Sequence, residues 1–384
     1  MVLKNNDQKT QISKFHINQL PSDRIFILLE QKFHKEIFSR IEYKKLPKIN
    51  KLFFKNHLNA HTVKQWKSRK HFIPLWFLIK LNKLFPEYSI QKIEKNILAY
   101  RGPSTSAIIK NPDFPIKEDS RLLKIMAHLL GDGSVGGGFG SNLPKGKQHS
   151  EYRNFTPELL DGFERDLSVF GEVPTTKNYE RGTLIIPNLI GYILEHIYNI
   201  KFDTFNSRIP EKLFEIEPEL IAFFLRAFAD DEGHVYDSSI DYYSNNKKLL
   251  TDILSLINKA FTRVKTSNIK INTKAGKNTK YSFTIYSDSL QVYSKLIGFD
   301  HKEKMEDLQF NLNRKGKKPN KNPKEKILKL LENDNLSAKQ ISRIMESGHT
   351  TILSHLNELK RKGNIKVIKK ERWANIWGID EGKN

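Results

Sequence analysis

The feature that most constrains this 384-residue chain is a repeat in its middle. Residues 120–200 and 220–300 carry the same order of features. The first copy opens with Leu123-Lys124-Ile125-Met126-Ala127-His128-Leu129-Leu130-Gly131-Asp132-Gly133. The second opens with Phe223-Phe224-Leu225-Arg226-Ala227-Phe228-Ala229-Asp230-Asp231-Glu232-Gly233. Each is an apolar helical run with one small residue, Ala127 or Ala227, and each ends in a carboxylate followed by glycine. Further on, Tyr152-Arg153-Asn154 precedes Glu158-Leu159-Leu160, and Tyr243-Ser244-Asn245 precedes Lys248-Leu249-Leu250. The strand candidates are Thr183-Leu184-Ile185-Ile186 and Tyr281-Ser282-Phe283-Thr284-Ile285. The acid-glycine pairs lie 100 residues apart and the Tyr-x-Asn pairs 91, which assigns nine extra residues of the first copy to the glycine-rich loop 136–150. Two such units must bury their shared face against each other.

The small residues let two helix backbones approach closely, around a pseudo-twofold axis through Ala127 and Ala227. Asp132 and Glu232 then meet at the helix C-terminal ends, where the dipole is already negative. Such a pair calls for a hard divalent cation with oxygen ligands, most simply Mg²⁺. Paired acids holding metal beside phosphates suit phosphodiester hydrolysis. Singly, each motif has a plain reading: GDG as a hairpin turn, GDGSVGGG as a phosphate loop, DDEG as a solvated helix cap. Their duplication argues against those readings.

At these residues the sequence resembles the LAGLIDADG homing endonuclease family in its two-motif, free-standing monomeric form. The nine-residue stretches 125–133 and 225–233 align with the two motifs without gaps, and the resemblance covers about residues 115–312. It implies two αββαββα repeats whose saddle-shaped antiparallel sheets lie in adjacent major grooves. It also implies double-strand cleavage of DNA at a long asymmetric target site. Asp132 and Glu232 fall on the metal-binding acids, with Gly131 and Asp231 beside them in the implied ligand set. Lys201 and Lys304 match best the lysine that the family often carries near the active site. Departures are Ala127 and Ala227 in place of the usual interface glycine, Leu130 in place of the first acid, and His128 on the packed helix. The plainer place for His128 is a hydrogen bond in that interface.

Both ends of the chain are basic. The whole carries +22 at pH 7, divided as +15 over residues 1–110, −3 over 111–310 and +10 over 311–384. Such asymmetry points to a polyanionic partner held by the ends. Near the N-terminus, Val63 and Trp66 can face a core, leaving Thr62, Lys64, Gln65, Lys67 and Arg69 outward, like the recognition half of a helix-turn-helix backed by a helix over 75–84. Near the C-terminus, Pro323 starts a helix through Ile327 and Leu331, and Ser337 caps a second one carrying Ile341, Ile344 and Met345. A third spans 349–362, with Gly363 as its stop and strands following. Three helices and a basic hairpin resemble a winged helix, with His349, Thr350, Thr351 and Ser354 on its exposed face. Breaker-rich stretches at 102–115 and 314–324 read as linkers.

With no cysteine, disulfides, zinc fingers, Fe–S clusters and cysteine nucleophiles are excluded. The longest apolar stretch, 72–81, is about half a bilayer span and contains Lys80, so no membrane partner is expected. The start lacks a signal-peptide pattern. A chain that begins at Met1, lacks cysteine and ends Gly382-Lys383-Asn384 reads as free-standing rather than as an intein.

The expected architecture is therefore α+β. It comprises a helical, helix-turn-helix-like DNA-binding domain (1–110), a two-repeat core (115–312, repeats about 120–205 and 218–312), a basic linker (313–322) and a winged helix-turn-helix (323–384). The expected activity is Mg²⁺-dependent DNA cleavage by a cytoplasmic, nucleoid-associated monomer bound to double-stranded DNA. The rival readings are a catalytically silent transcription regulator with the same fold and an intron maturase.

Overall fold

The computed structural model describes residues 13–41, 60–103, 107–136, 149–272, 279–314, 321–371 and 374–380. Helices and small antiparallel sheets alternate throughout, making an α+β protein.

The middle is built twice on one plan. The first copy runs helix Ser120–Leu130, strands Gly133–Ser134 and Ser150–Arg153, helix Pro157–Asp166, strands Thr176–Asn178 and Thr183–Ile186, and helix Asn188–Tyr198. The second runs helix Pro218–Glu232, strands Gly233–Val235 and Ile240–Ser244, helix Lys247–Ala260, strands Lys270–Asn272 and Lys280–Ile285, and helix Leu290–Leu296. Each is αββαββα. In each sheet the first strand pairs with the second, the second with the fourth, and the fourth with the third. An extra helix, Lys302–Arg314, follows the second copy.

The two opening helices pack against each other. Both are buried around most of their circumference: Leu122, Leu123, Ile125, Met126 and Ala127 on one, Ile221, Phe224, Leu225, Ala227 and Phe228 on the other. A helix apolar all round belongs in the centre of a core, and Ala127 and Ala227 are wholly buried there.

The glycine after each acid has a steric cause. A Cβ on Gly133 would lie 2.4 Å from the Leu129 Cα, and one on Gly233 2.6 Å from the Ala229 carbonyl oxygen. The chain leaves each helix by folding back over its last turn, directly into a strand. The strands then correct the internal alignment. Gly133 pairs with Tyr152 and Gly233 with Tyr242, so Tyr242, not Tyr243, is the counterpart of Tyr152. The first copy's excess is one residue larger than the Tyr-x-Asn spacing implied. In a strand, a slip of one residue moves a side chain to the opposite face. Most of the glycine-rich loop that holds this excess, 137–148, lies outside the described residues.

The N-terminal block is not all-helical. Strands Ile73–Pro74, Phe26–Leu29, Ile97–Arg101 and Ile108–Lys110 form a four-stranded antiparallel sheet against its helices. Short apolar runs such as Phe26-Ile27-Leu28-Leu29 do not separate strand from helix by periodicity, which is why the helical expectation missed them. Nor does the breaker-rich stretch at 102–115 hold the block apart. Lys14 and Phe15 pair with Lys117 and Ile116, Lys110 and Glu172 exchange backbone hydrogen bonds, and the Tyr100 hydroxyl donates to the Phe170 carbonyl. A single apolar core runs through this block and both repeats.

The C-terminal part has its own apolar core. Helices Pro323–Asn333, Ala338–Ile344 and His349–Arg361 support strands Leu336–Ser337, Ile365–Glu371 and Ala374–Ile379, with the last strand central. Ser337 and Gln340 form a capping box, and Gly363 takes φ +75° after the third helix. On the second of these helices Ile341 is buried and Ile344 exposed. Most of the basic linker, 315–320, lies outside the described residues. No described helix is long and apolar enough to cross a membrane.

Ala127→Leu or Ala227→Leu should cost about 1–3 kcal/mol by overpacking the buried helix pair. Urea denaturation checks this: an unchanged midpoint in both variants would mean that the pair is not closely packed.

Candidate functional site

The two central helices deliver four carboxylates to one end of the pair, and hydrogen bonding sorts them. Asp230 is buried and accepts from the backbone N–H groups of Asp300 and His301, at 3.2 and 2.9 Å. It thus ties down the chain just before the helix Lys302–Arg314. Burial pushes its carboxyl up to about 7 against those bonds. The Asp231 side chain is fully enclosed, held by His128, Tyr152 and Asn154. Its expected place among metal ligands is therefore not what the geometry provides, because both its oxygens already accept hydrogen bonds.

Asp132 and Glu232 remain. Among the described residues, neither side chain makes a hydrogen bond or ion pair, unlike the side chains of Asp230 and Asp231. Asp132 is exposed and Glu232 is half-buried. Loss of water around Glu232, then the charges of Asp132 and Asp231, raise its carboxyl to about 8. Loss of water around its carboxyl, then the Asp231 charge, raise Asp132 to about 7. Lys304 opposes both shifts. Its ammonium donates to the carbonyls of Ala229 and Asp230, at the C-terminal end of the second central helix. Burial lowers the Lys304 pKa, while Asp231, Asp230, Asp132 and Glu232 hold it up.

Lys304 therefore lies beside the acids at this helix end. Lys201 does not join it: its side chain is exposed, and only its carbonyl, accepting from the Ser207 hydroxyl, enters a described hydrogen bond. Gly131 lies at the mouth, beside Asp231. His128 is buried in the helix interface and hydrogen-bonded to Asp231, as the plainer reading had it. Burial opposes its charge, but Asp231 outweighs that and raises its pKa.

Glu232 opens on a cleft of about 110 Å³ that Gly131, Gly133, Ser134, Asp203 and Asn245 also line. The Asn245 side-chain oxygen is buried there with no hydrogen-bond partner. The sequence offered Asn245 only as part of a repeat; its role as a lone acceptor emerges from its surroundings. Among the described residues no cluster of three or more His, Cys, Asp or Glu side chains could hold a metal. The available donor set is two carboxylates with amide and carbonyl oxygens, all hard, which fits Mg²⁺ or a similar cation and not a soft metal.

The expected DNA contacts of the end regions divide. On helix Ala60–Lys67, Val63 and Trp66 are buried, and Lys64 and Lys67 are exposed. Thr62 and Gln65 are half-buried, and the Gln65 amide meets the His61 ring at 2.8 Å. Arg69 lies past the helix with φ +60°, so it leaves the face assigned to it. In the C-terminal part, His349, Thr350, Thr351 and Ser354 are all exposed. The Asp237 carboxylate, from the turn between the first two strands of the second repeat, accepts from the backbone N–H groups of His349 and Thr350 at 2.7 and 2.9 Å. Asp307 pairs with Lys339 and Arg343 beside it.

The raised acids set a pH dependence. Unfolded, Asp132 and Glu232 would release protons near 3.8 and 4.5; folded, they hold them to about 7 and about 8. Between those limits the folded chain binds more protons, so their contribution makes stability fall as pH rises. Asp132→Asn with Glu232→Gln should flatten that fall, leaving the share due to Asp230, and millimolar Mg²⁺ should do the same to the unaltered chain. Urea midpoints across this pH range test it; parallel curves for both proteins would refute it.

No family model matches the chain. A curated relative is the glutamine–fructose-6-phosphate aminotransferase of Methanocaldococcus jannaschii, 27% identical over 241 residues. The match covers 61% of this chain and 21% of that protein, so the chain spans about a fifth of the relative's length. Two solved structures are similar in part. One is of I-DmoI in complex with DNA and Mn, at 18% identity and a TM-score of 0.30, covering 46% of this chain and 97% of the other. The second is of mesophilic variants from the homing endonuclease I-DmoI, at 17% identity and a TM-score of 0.31, covering 46% and 88%. Superpositions this loose carry no conclusion about the present chain.

Proposed function

We propose that this protein is a DNA endonuclease of the LAGLIDADG type, making Mg²⁺-dependent double-strand breaks at a specific site. The observation that carries the reading is the pair Asp132 and Glu232: two acids without hydrogen-bond partners among the described residues, delivered to one place by twin helices. An unpaired carboxylate pair with raised pKa values is unfavourable unless a cation is held there.

A divalent cation bound there would supply Lewis acidity and a water acidified for attack on phosphorus. Asp132 and Glu232 would hold it through their free oxygens. Lys304, braced on two helix-end carbonyls, would place positive charge beside the phosphate. The lone Asn245 oxygen would accept a hydrogen bond from a water in the cleft and orient it.

The two sheets suit the reading of bases. Strand register puts Arg153, Thr183 and Asn178 on one face of the first sheet and His234, Tyr243 and Lys280 on one face of the second. Arg, Lys, His and Asn side chains reach base edges in a major groove. The basic end regions would add phosphate contacts, the C-terminal one as a winged helix and the N-terminal one through Lys64 and Lys67. Both acids come from one chain, so one copy suffices and a monomer is the working unit.

Asp132→Asn or Glu232→Gln should reduce Mg²⁺-dependent cleavage by at least about 100-fold while DNA affinity in Ca²⁺ holds. A plasmid library of random inserts, sequenced before and after incubation, supplies the substrate. If the unaltered protein depletes no insert with Mg²⁺ or Mn²⁺, the chain is a binding protein, and the regulator reading replaces this one.

A further inference from the structure

Asp231 is more than a carboxylate withdrawn from the metal. Its side chain is fully buried, and its three bonds join different parts of the molecule. Oδ2 lies 2.9 Å from Nδ1 of His128, which belongs to the opposite central helix. Oδ1 accepts from the Tyr152 hydroxyl at 2.7 Å and from the Asn154 amide at 3.3 Å. Tyr152 sits on the strand that pairs with Gly133, the residue after Asp132. Between these two donors, the Arg153 N–H donates to the Asp132 carbonyl at 3.3 Å. The acid of the second helix thus grips the segment that carries the acid of the first.

The surroundings are shaped for this grip. The His128 ring stands 4.6 Å from Tyr152 and 5.8 Å from Phe163. A Cβ on Gly131 would come within 2.8 Å of Asp231 Oδ2, so only glycine leaves room for the carboxylate.

The pseudo-twofold mate of this arrangement is missing. The counterpart of Asp231 is Gly131 itself, and the counterpart of His128 is Phe228. Tyr242, the counterpart of Tyr152, is stacked with Phe228 and bonded instead to the Tyr293 hydroxyl at 2.7 Å. The stretch leading to Glu232 therefore rests on an apolar and tyrosine-paired bed within its own repeat. The stretch around Asp132 rests on a polar lock that crosses between repeats.

We infer that Asp231, clamped by His128, Tyr152 and Asn154, is a positioning residue that fixes the Asp132 segment relative to the second central helix, so that one of the two strand cuts depends on a lock the other does not use. The inference rests on the endonuclease reading and adds to it an inequality between the two cuts. In this role Asp231 and its partners act through the placement of Asp132 and not through contact with DNA or metal.

The test uses a supercoiled plasmid carrying an insert that the unaltered protein cuts. Tyr152→Phe removes a single hydroxyl, and Asp231→Asn weakens all three bonds. Tyr293→Phe removes the hydroxyl that supports the other side. Tyr152→Phe and Asp231→Asn should slow cutting of one fixed strand about tenfold, so that nicked circles accumulate with the break always in the other strand. DNA affinity in Ca²⁺ should stay within about twofold. Tyr293→Phe should not favour that same break. Equal slowing of both strands, no slowing, or a loss that follows melting temperature alike in Tyr152→Phe and Tyr293→Phe would overturn the lock while leaving the endonuclease standing. An unaltered protein that cuts neither strand overturns both.

Discussion

Everything at the candidate site depends on the packing of two apolar helices against each other. Ser120–Leu130 and Pro218–Glu232 lie in the middle of one core, buried on nearly all sides. Burial of this kind is strong and non-directional, so direction comes from shape. Wholly buried alanines, Ala127 and Ala227, sit in the C-terminal half of each helix. The glycine after each acid then turns the chain back over its own helix into a strand. Once the pair is packed, both acids must arrive at the same end.

That end carries more negative charge than a protein surface readily accepts, and the surrounding structure deals with it acid by acid. Asp230 becomes an anchor for the backbone at Asp300 and His301, Asp231 a buried bridge between repeats, and Lys304 is inserted among them. Asp132 and Glu232 are what remains. Each is left without a side-chain hydrogen-bond partner among the described residues, and the Asp132 charge bears on Glu232, a repulsion that the proposed cation would relieve. The core's slight net negative charge belongs with this. Positive charge is carried by the ends, one end fused into the same apolar core and the other resting on the second repeat through Asp237 and Asp307.

Much of this was legible beforehand. The duplicated helix-acid-glycine pattern requires no knowledge of contacts, since helical period and a sharp stop are local properties. The same holds for the Ser337 cap, the Gly363 stop and the burial of Val63 and Trp66. What failed were matters of register and partner. The recurring Tyr-x-Asn points to Tyr243 as the mate of Tyr152, but strand pairing makes it Tyr242. The N-terminal sheet escaped notice because short apolar strands look like helix fragments. Arg69 was placed on a helix that had already ended.

The sequence by itself determined that two like units would bring a pair of acids to a common helix end, because apolar periodicity, helix stops and chain turns are set by near neighbours. It also determined where the positive charge lies. Which acids would be free was decided only by tertiary structure. Asp230, Asp231, Asp132 and Glu232 are chemically alike and adjacent in pattern. They differ only in what the fold sets opposite them: the N–H groups of Asp300 and His301 for Asp230, the side chains of His128, Tyr152 and Asn154 for Asp231, an open cleft for Glu232 and the exposed surface for Asp132. A hydrogen-bond partner 70 or more residues away leaves no mark on local sequence, so the division between structural and available carboxylates appears only when the chain has closed on itself.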